Sequence, residues 1–76
     1  MNKELTYGQK AVGLTFNPSN DDKVAMCKQR YADLIDEMND LRNETLSEEV
    51  KRMCSTVITK LQTAQMWSVK SLTWKD

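Results

Sequence analysis

The sequence predicts an all-α fold: a short N-terminal helix and a long antiparallel helical hairpin, assembled as a homo-oligomer. First, the only proline and both glycines, Pro18, Gly8 and Gly13, lie within the first eighteen residues, so the rest of the chain is free of helix breakers. Second, beyond that point apolar residues recur at steps of three and four, the period of an amphipathic helix. Third, a single domain of 76 residues has a small core, which self-association can supplement.

The N-terminal segment, residues 1–19, is the least regular part of the chain. Its apolar residues are spaced for a short helix that Gly8 weakens: Leu5, Tyr7, Ala11, Val12 and Leu14. An extended stretch over residues 15–18 is expected to lead into the hairpin.

The first long helix is predicted over residues 20–43. Pro18 disfavours helix in the residue before it, and Ser19 or Asn20 offers an N-cap, so the helix should begin near Asp21. Its apolar stripe consists of Val24, Cys27, Tyr31, Leu34, Ile35, Met38 and Leu41.

The second long helix is predicted over residues 47–73, after a polar turn with start signals at Thr45 and Ser47. It carries two apolar stripes. The stripe expected to face the first helix is Val50, Met53, Val57, Leu61, Ala64 and Ser68. The other stripe is Cys54, Ile58, Leu61, Gln65, Val69 and Leu72, with Met66, Trp67 and Trp74 thickening the C-terminal end. One partner helix cannot bury both stripes, so we expect the surplus to pack between copies of the chain.

The composition excludes several classes of function. The chain has no histidine, which removes catalytic triads and histidine-ligated metals, and its net charge is zero, which argues against DNA or RNA binding. Two cysteines are too few for a zinc cage or a disulfide framework, so a reducing, cytosolic location is expected. No apolar stretch approaches the ~20 residues of a membrane span, and none resembles a signal peptide.

The residues with catalytic chemistry do not form an active site in the sequence. Cys27 and Cys54 lie on apolar stripes with no histidine base, which is typical of small buried residues. Asp33, Asp36 and Glu37 belong to the polar face of the first long helix. An enzyme is therefore not expected, and no cofactor is predicted.

A nucleotide site is one interpretation of the segment that enters the first long helix. Aromatic rings stack on bases, and cationic groups bind phosphates. The segment and the helix after it offer Tyr7 and Phe16 as rings, Lys10, Lys23 and Lys28 as cations, and Asn17 and Ser19 as polar groups. Asp21 and Asp22 oppose an anion at the helix start, so phosphates would meet the lysines instead. On residue chemistry alone, packing roles for Tyr7 and Phe16 are the favoured alternative.

Arg52 and Thr56 form a second small pattern, one turn apart on the same face of the second helix. Copies of this pair brought together at a symmetry axis would form an anion pocket. The alternative, favoured by the residues alone, is a solvated arginine beside a packed threonine.

Several motifs resemble the helical-hairpin family of phage immune-evasion proteins, the anti-CBASS cyclic-oligonucleotide sponges and the related anti-Thoeris sponges. The similarity extends from about Tyr7 to Trp74. It rests on Leu-Thr-Phe-Asn-Pro-Ser at 14–19, Val24 with Lys28, Ala-Asp-Leu-Ile-Asp at 32–36, Ile-Thr-Lys-Leu-Gln-Thr-Ala-Gln-Met-Trp-Ser-Val-Lys at 58–70, and Thr-Trp at 73–74.

The resemblance implies a non-catalytic homohexamer in the host bacterial cytoplasm that binds cyclic oligonucleotides such as cyclic GMP-AMP. It implies a dinucleotide site between two protomers, where Tyr7 matches the stacking ring and Lys23 the phosphate-binding lysine, with Lys28 and Lys10 as substitutes. It also implies a separate trinucleotide pocket, supplied by Arg52 and Thr56.

The alternative function is a small helical module that docks on a host protein and inhibits it. Its contact surface would be Met66, Trp67 and Trp74, the large apolar residues near the end of the second helix.

Overall fold

The computed structural model describes residues 4–76, and within them the chain is all helical, without strands. Three helices follow one another: α1 (Tyr7–Ala11), α2 (Asp22–Glu44) and α3 (Glu48–Thr73). Helices α2 and α3 form an antiparallel hairpin, and α1 packs against α2. Residues 1–3 of the predicted N-terminal segment lie outside the described part of the chain.

Local hydrogen bonds set where each helix begins. Thr6 and Gln9 form a reciprocal capping box at the start of α1. Ser47 caps α3 by accepting a hydrogen bond from the backbone N–H of Val50, as its sequence position indicates.

The prediction of Ser19 or Asn20 as the N-cap of α2 is wrong, because the cap is Asp21, whose Oδ1 accepts from the Lys23 backbone N–H at 2.8 Å. Ser19 instead donates to Asn17 Oδ1 at 2.7 Å, and Asn20 adopts a left-handed φ of 53°. Both residues therefore belong to the turn that precedes the cap.

The connection between α1 and α2 starts with a turn over residues 12–15, which includes the first residue of the stretch predicted to be extended, Thr15. Gly13 has a φ of 61°, a conformation that glycine adopts without steric cost. The chain then folds back, so that the backbone N–H of Phe16 donates to the Gly13 carbonyl at 2.9 Å. Thr15 lies inside this turn, which keeps the N-terminal segment close to the hairpin.

Two side-chain hydrogen bonds define the register of the hairpin. The Tyr31 and Ser68 hydroxyls are 2.7 Å apart, and Arg42 Nη1 donates to Ser55 Oγ at 3.0 Å. In this antiparallel register, Cys27 lies near the start of α2 and Cys54 beside the opposite end of that helix. The two thiols are therefore too far apart for a disulfide within one protomer.

The core combines all three parts of the chain: Val12, Ala32, Ile35 and Ile58. The α3 stripe that was predicted to face α2 is wrong. The buried α3 residues, Cys54, Ile58 and Gln65, belong to the other stripe, whereas Met53 of the predicted stripe is exposed. The N-terminal segment accounts for this rotation: Val12 inserts beside Ile58, and Gln62 Nε2 donates to the Ala11 carbonyl at 3.2 Å.

The buried face of α2 also differs from the predicted stripe. Leu34 and Leu41 are exposed, while Lys28 and Ala32 are buried beside Val24 and Ile35. Ala32 is covered by α1, since Gly8 packs directly against its backbone carbonyl.

Many large apolar residues remain on the surface of the single chain. They are Tyr7, Phe16, Met26, Leu34, Leu41, Leu46, Met53, Met66, Trp67, Leu72 and Trp74. No helix within residues 4–76 has an apolar stretch of the length and hydropathy that spanning a bilayer requires.

Gly8 makes the closest contact between α1 and α2. A Cβ atom there would lie 2.1 Å from the Ala32 carbonyl oxygen, well inside van der Waals contact. The Gly8 backbone N–H also donates to Asp36 Oδ1 at 2.7 Å. The glycine that the sequence marks as a weakness of α1 is therefore what allows α1 to dock.

We expect Gly8→Ala to destabilise the protein by about 1–3 kcal/mol, because the methyl group forces α1 away from α2. Urea unfolding followed by circular dichroism measures this change. Helix propensity alone would stabilise the variant by roughly 1 kcal/mol, so a variant as stable as the parent, or more so, contradicts the close contact.

Candidate functional site

Tyr7 lies at the start of α1 with its ring partly open to solvent, 45% exposed. The guanidinium carbon of Arg42 lies 5.4 Å from the ring centroid, within cation–π distance. The capping box at Thr6 and the docking of Gly8 fix the backbone on both sides of the ring. The predicted stacking residue is therefore exposed, pre-oriented and beside a positive charge.

Lys28 is buried, at 4% exposure, with its ammonium directed into the N-terminal segment. Its Nζ donates to the Gly13 carbonyl at 3.0 Å and to the Phe16 carbonyl, and it lies 5.6 Å from the Phe16 ring centroid. This position disfavours the predicted role of Lys28 as a phosphate ligand, because two of its three N–H donors bind backbone oxygens. Lys28 holds the turn between α1 and α2 against the hairpin.

Asn17 and Ser19 are also engaged locally. Asn17 accepts from Ser19 Oγ at 2.7 Å and donates through Nδ2 to the Asp21 carbonyl at 3.1 Å. Both residues line a small groove of about 210 Å³, next to the exposed ring of Phe16. Their hydrogen bonds stabilise the loop before α2.

Lys23 and Lys10 are exposed and line different grooves. Lys23 borders a groove of about 470 Å³ between the start of α2 and the end of α3, with Met26, Cys27, Arg30, Ser68, Ser71 and Leu72. Lys10 borders a groove of about 520 Å³ that also contains Met66 and Val69.

Tyr7 and Lys23 are not brought together within one protomer. The ring contacts Arg42 near the end of α2, whereas Lys23 lies in the first turn of the same helix. At 1.5 Å per residue the two positions on α2 are roughly 28 Å apart along the helix axis. A ligand that contacts both residues must therefore lie between two protomers.

Arg52 and Thr56 share one exposed face of α3, as their spacing predicts. Arg52 donates two hydrogen bonds to Glu49, from Nε at 3.0 Å and from Nη2 at 2.6 Å. Thr56 Oγ1 donates to the Arg52 carbonyl at 3.0 Å. An incoming phosphate would have to displace Glu49 from the guanidinium.

The ion pair between Arg52 and Glu49 shifts the pKa of both side chains. The hydrogen bonds from Arg52 lower the pKa of Glu49 below its ordinary value, and the carboxylate raises the pKa of Arg52 above its own. Both side chains are largely exposed, so the pair is weak and exchangeable.

Two functional candidates are not found by sequence reasoning. Arg42 lies near the end of the predicted first long helix, and only the hairpin register brings it to Tyr7. Lys70 lies 5.2 Å from the Trp67 ring centroid and 5.6 Å from that of Trp74. The spacing of Trp67 and Lys70 on α3, with Trp74 directly after its last residue, is visible in the sequence, but their contact is not.

The described chain offers no cluster of three or more metal-ligating side chains between residues 4 and 76.

A family model described as the Acb2/Tad1 hairpin domain matches residues 9–73, most of the 76-residue chain. The chain belongs to the Acb2/Tad1 hairpin family. This is the family of the phage anti-CBASS and anti-Thoeris sponges, which confirms the resemblance. Neither the curated proteins nor the solved structures gave a match.

The Acb2/Tad1 match covers α2 and α3 and all but the start of α1. Lys10, Lys23, Arg52 and Thr56 therefore lie within the matched residues. Tyr7 precedes the match, so its assignment as a stacking ring depends on its exposure and its neighbours.

We expect Lys28→Met to destabilise this Acb2/Tad1 hairpin by about 1–3 kcal/mol, since the partly buried Gly13 and Phe16 carbonyls lose the charged donor that ties them to α2. Lys60→Met, a change at an exposed position on α3, is the matched control and should alter stability by less than about 0.5 kcal/mol. Urea unfolding of both variants measures the difference. If the two variants have the same free energy of unfolding, the Lys28 hydrogen bonds do not stabilise the protein, which contradicts this prediction.

Proposed function

We propose that this protein sequesters cyclic di- and trinucleotide signals of bacterial CBASS immunity without cleaving them. It acts as a phage anti-immune protein inside the infected bacterial cell. The observation that carries the proposal is membership of the sponge family over residues 9–73. The exposed Tyr7 ring beside a guanidinium supports it independently.

The proposed active unit is a homo-oligomer, a hexamer in the form that the family resemblance implies. The exposed apolar residues of the hairpin support self-association, because monomers seldom expose this much apolar surface. The flat shape of the chain, only 12 Å across in its shortest dimension, leaves two broad faces for such contacts.

The proposed dinucleotide site lies between two protomers. One protomer supplies the Tyr7 ring for a base, and the neighbouring protomer supplies Lys23 for a phosphate. Lys10 is three residues beyond Tyr7 and adds a second cation near the ring. Arg42, the neighbour of the Tyr7 ring, lies roughly 28 Å from Lys23 along the α2 axis, so a second protomer is needed to bring a lysine at position 23 to the ring.

The proposed trinucleotide site uses Arg52 and Thr56 from several protomers. The guanidinium offers paired N–H donors that match phosphate oxygens, and the threonine hydroxyl, which donates to the Arg52 carbonyl in the single chain, can rotate to donate to the ligand one turn away. Bringing several arginines together would favour exchange of Glu49 for the more highly charged ligand.

A protein that sequesters a signal must bind it tightly and must be present in large amounts relative to it. A dissociation constant of ~1 nM corresponds to about −12.3 kcal/mol. Enclosing a ligand between protomers lowers the effective dielectric around its phosphates and strengthens each contact with a lysine or arginine. A chain of zero net charge can thus bind an anion tightly through a few local cations.

A second candidate function is a module that docks on a host protein. The observation that favours it is the exposure of Trp67 and Trp74, at 65% and 64%. Tryptophan is enriched in the energetic centres of protein interfaces. A folded chain that takes up no cyclic nucleotide would favour this function over sequestration.

Isothermal titration calorimetry with cyclic GMP-AMP and with a cyclic trinucleotide tests the proposal. Loss of base stacking should make Tyr7→Ala bind the dinucleotide roughly 5- to 150-fold more weakly, while Arg52→Ala retains parental affinity. For the trinucleotide we expect the reverse: Arg52→Ala should bind more weakly, while Tyr7→Ala retains parental affinity. Light scattering under the same conditions gives the number of chains per assembly and fixes the stoichiometry.

Each contrary result has a separate meaning. If the folded parent gives no heat with either ligand, the sequestration proposal is wrong. If both variants lose both ligands equally, the assignment of two separate pockets is wrong.

A further inference from the structure

Arg42 is held in place by three different contacts at the turn end of the hairpin. Its Nη1 donates to Ser55 Oγ at 3.0 Å, its Nη2 donates to Asn39 Oδ1 at 2.7 Å, and its guanidinium carbon lies 5.4 Å from the Tyr7 ring centroid. These contacts come from α3, α2 and α1 respectively. The side chain is therefore ordered before any ligand arrives, which lowers the entropic cost of using it.

The position of Tyr7 over Arg42 follows from the docking of α1. The Gly8 N–H donates to Asp36 at 2.7 Å, and Asn39 and Arg42 continue the same helix toward the turn. The ring of the preceding residue, Tyr7, is thereby directed toward Arg42. The guanidinium lies over the ring as a cation–π partner, and Tyr7 as a residue remains 45% exposed.

The charge of Arg42 is not neutralised by a carboxylate within residues 4–76, where the two ion pairs are Lys51–Glu48 and Arg52–Glu49. A guanidinium has five N–H donors, and the bonds to Ser55 and Asn39 use two of them. The remaining donors and the full positive charge are available to an anion beside the ring.

We infer that Arg42 is a ligand-binding residue of the Tyr7 site, an inference that rests on the proposed function. A base of the cyclic dinucleotide stacks on the exposed part of the Tyr7 ring, and the guanidinium edge donates to a phosphate of the same ligand. Arg42 thus joins Lys10 as a cation of the protomer that supplies the ring, and Lys23 approaches from the neighbouring protomer. The site then presents a cation from each side of the interface.

The test measures cyclic GMP-AMP affinity by calorimetry at several salt concentrations, with folding checked by circular dichroism. Arg42→Gln should bind about 10- to 150-fold more weakly than the parent, the range expected for one lost charge-assisted hydrogen bond. Its affinity should also depend less steeply on salt, because one ion pair is gone. Lys60→Gln, which removes one positive charge from an exposed position on α3, should retain the parental affinity.

Arg42→Lys is the second variant, to be used also if Arg42→Gln does not fold. It keeps the charge but loses the planar paired donors, so it should bind at least several-fold more weakly than the parent with an unchanged salt dependence. A merely structural role for Arg42 would lower affinity in Arg42→Gln without altering the salt dependence.

The outcomes separate this inference from the proposed function. If the parent protein binds no cyclic dinucleotide, the proposed function fails and takes this inference with it. If the parent binds, parental affinity or parental salt dependence in Arg42→Gln overturns the role of Arg42 alone, as does parental affinity in Arg42→Lys.

Discussion

The close approach of α1 to α2 at Gly8 is the contact on which the rest of the molecule depends. The Ala32 carbonyl lies where a Cβ atom of residue 8 would be, so only glycine permits this packing. Docking here places Val12 in the core, and Lys28 then fastens the following turn through the Gly13 and Phe16 carbonyls. The same contact carries the Tyr7 ring to the turn end of the hairpin. The fold and the candidate site thus both depend on the close contact between Gly8 and Ala32.

The distribution of charge explains how a neutral chain can act on an anionic ligand. One lysine, Lys28, is used entirely inside the protein, and Arg52 is paired with Glu49. Lys10 and Lys23 are exposed on separate grooves, and Arg42 is bound only to neutral groups. No single protomer gathers these cations, but contacts between the exposed apolar faces of several protomers would do so. In our proposal, assembly of several protomers both enlarges the small apolar core of the single chain and concentrates positive charge at the site.

Much of this fold is predictable from the sequence because helix period, Pro18 and the cap at Ser47 are local signals. The choice between the two stripes of α3 is not local. It depends on where Val12 inserts, and that depends on the docking of Gly8. For the same reason the sequence cannot show that Lys28 faces inward or that Arg42 meets Tyr7. The spacing of Arg52 and Thr56 is local and gives their shared face correctly, whereas their convergence across protomers lies beyond one chain.

The central claim is that the protein captures its ligand and leaves it chemically intact. The most direct test loads the folded protein with cyclic GMP-AMP, removes free nucleotide by gel filtration, denatures the protein and analyses the released material by chromatography. We expect intact cyclic dinucleotide, recovered in fixed proportion to the protein even after prolonged incubation. Recovery of linear or degraded nucleotide would contradict sequestration, and recovery of none would contradict binding.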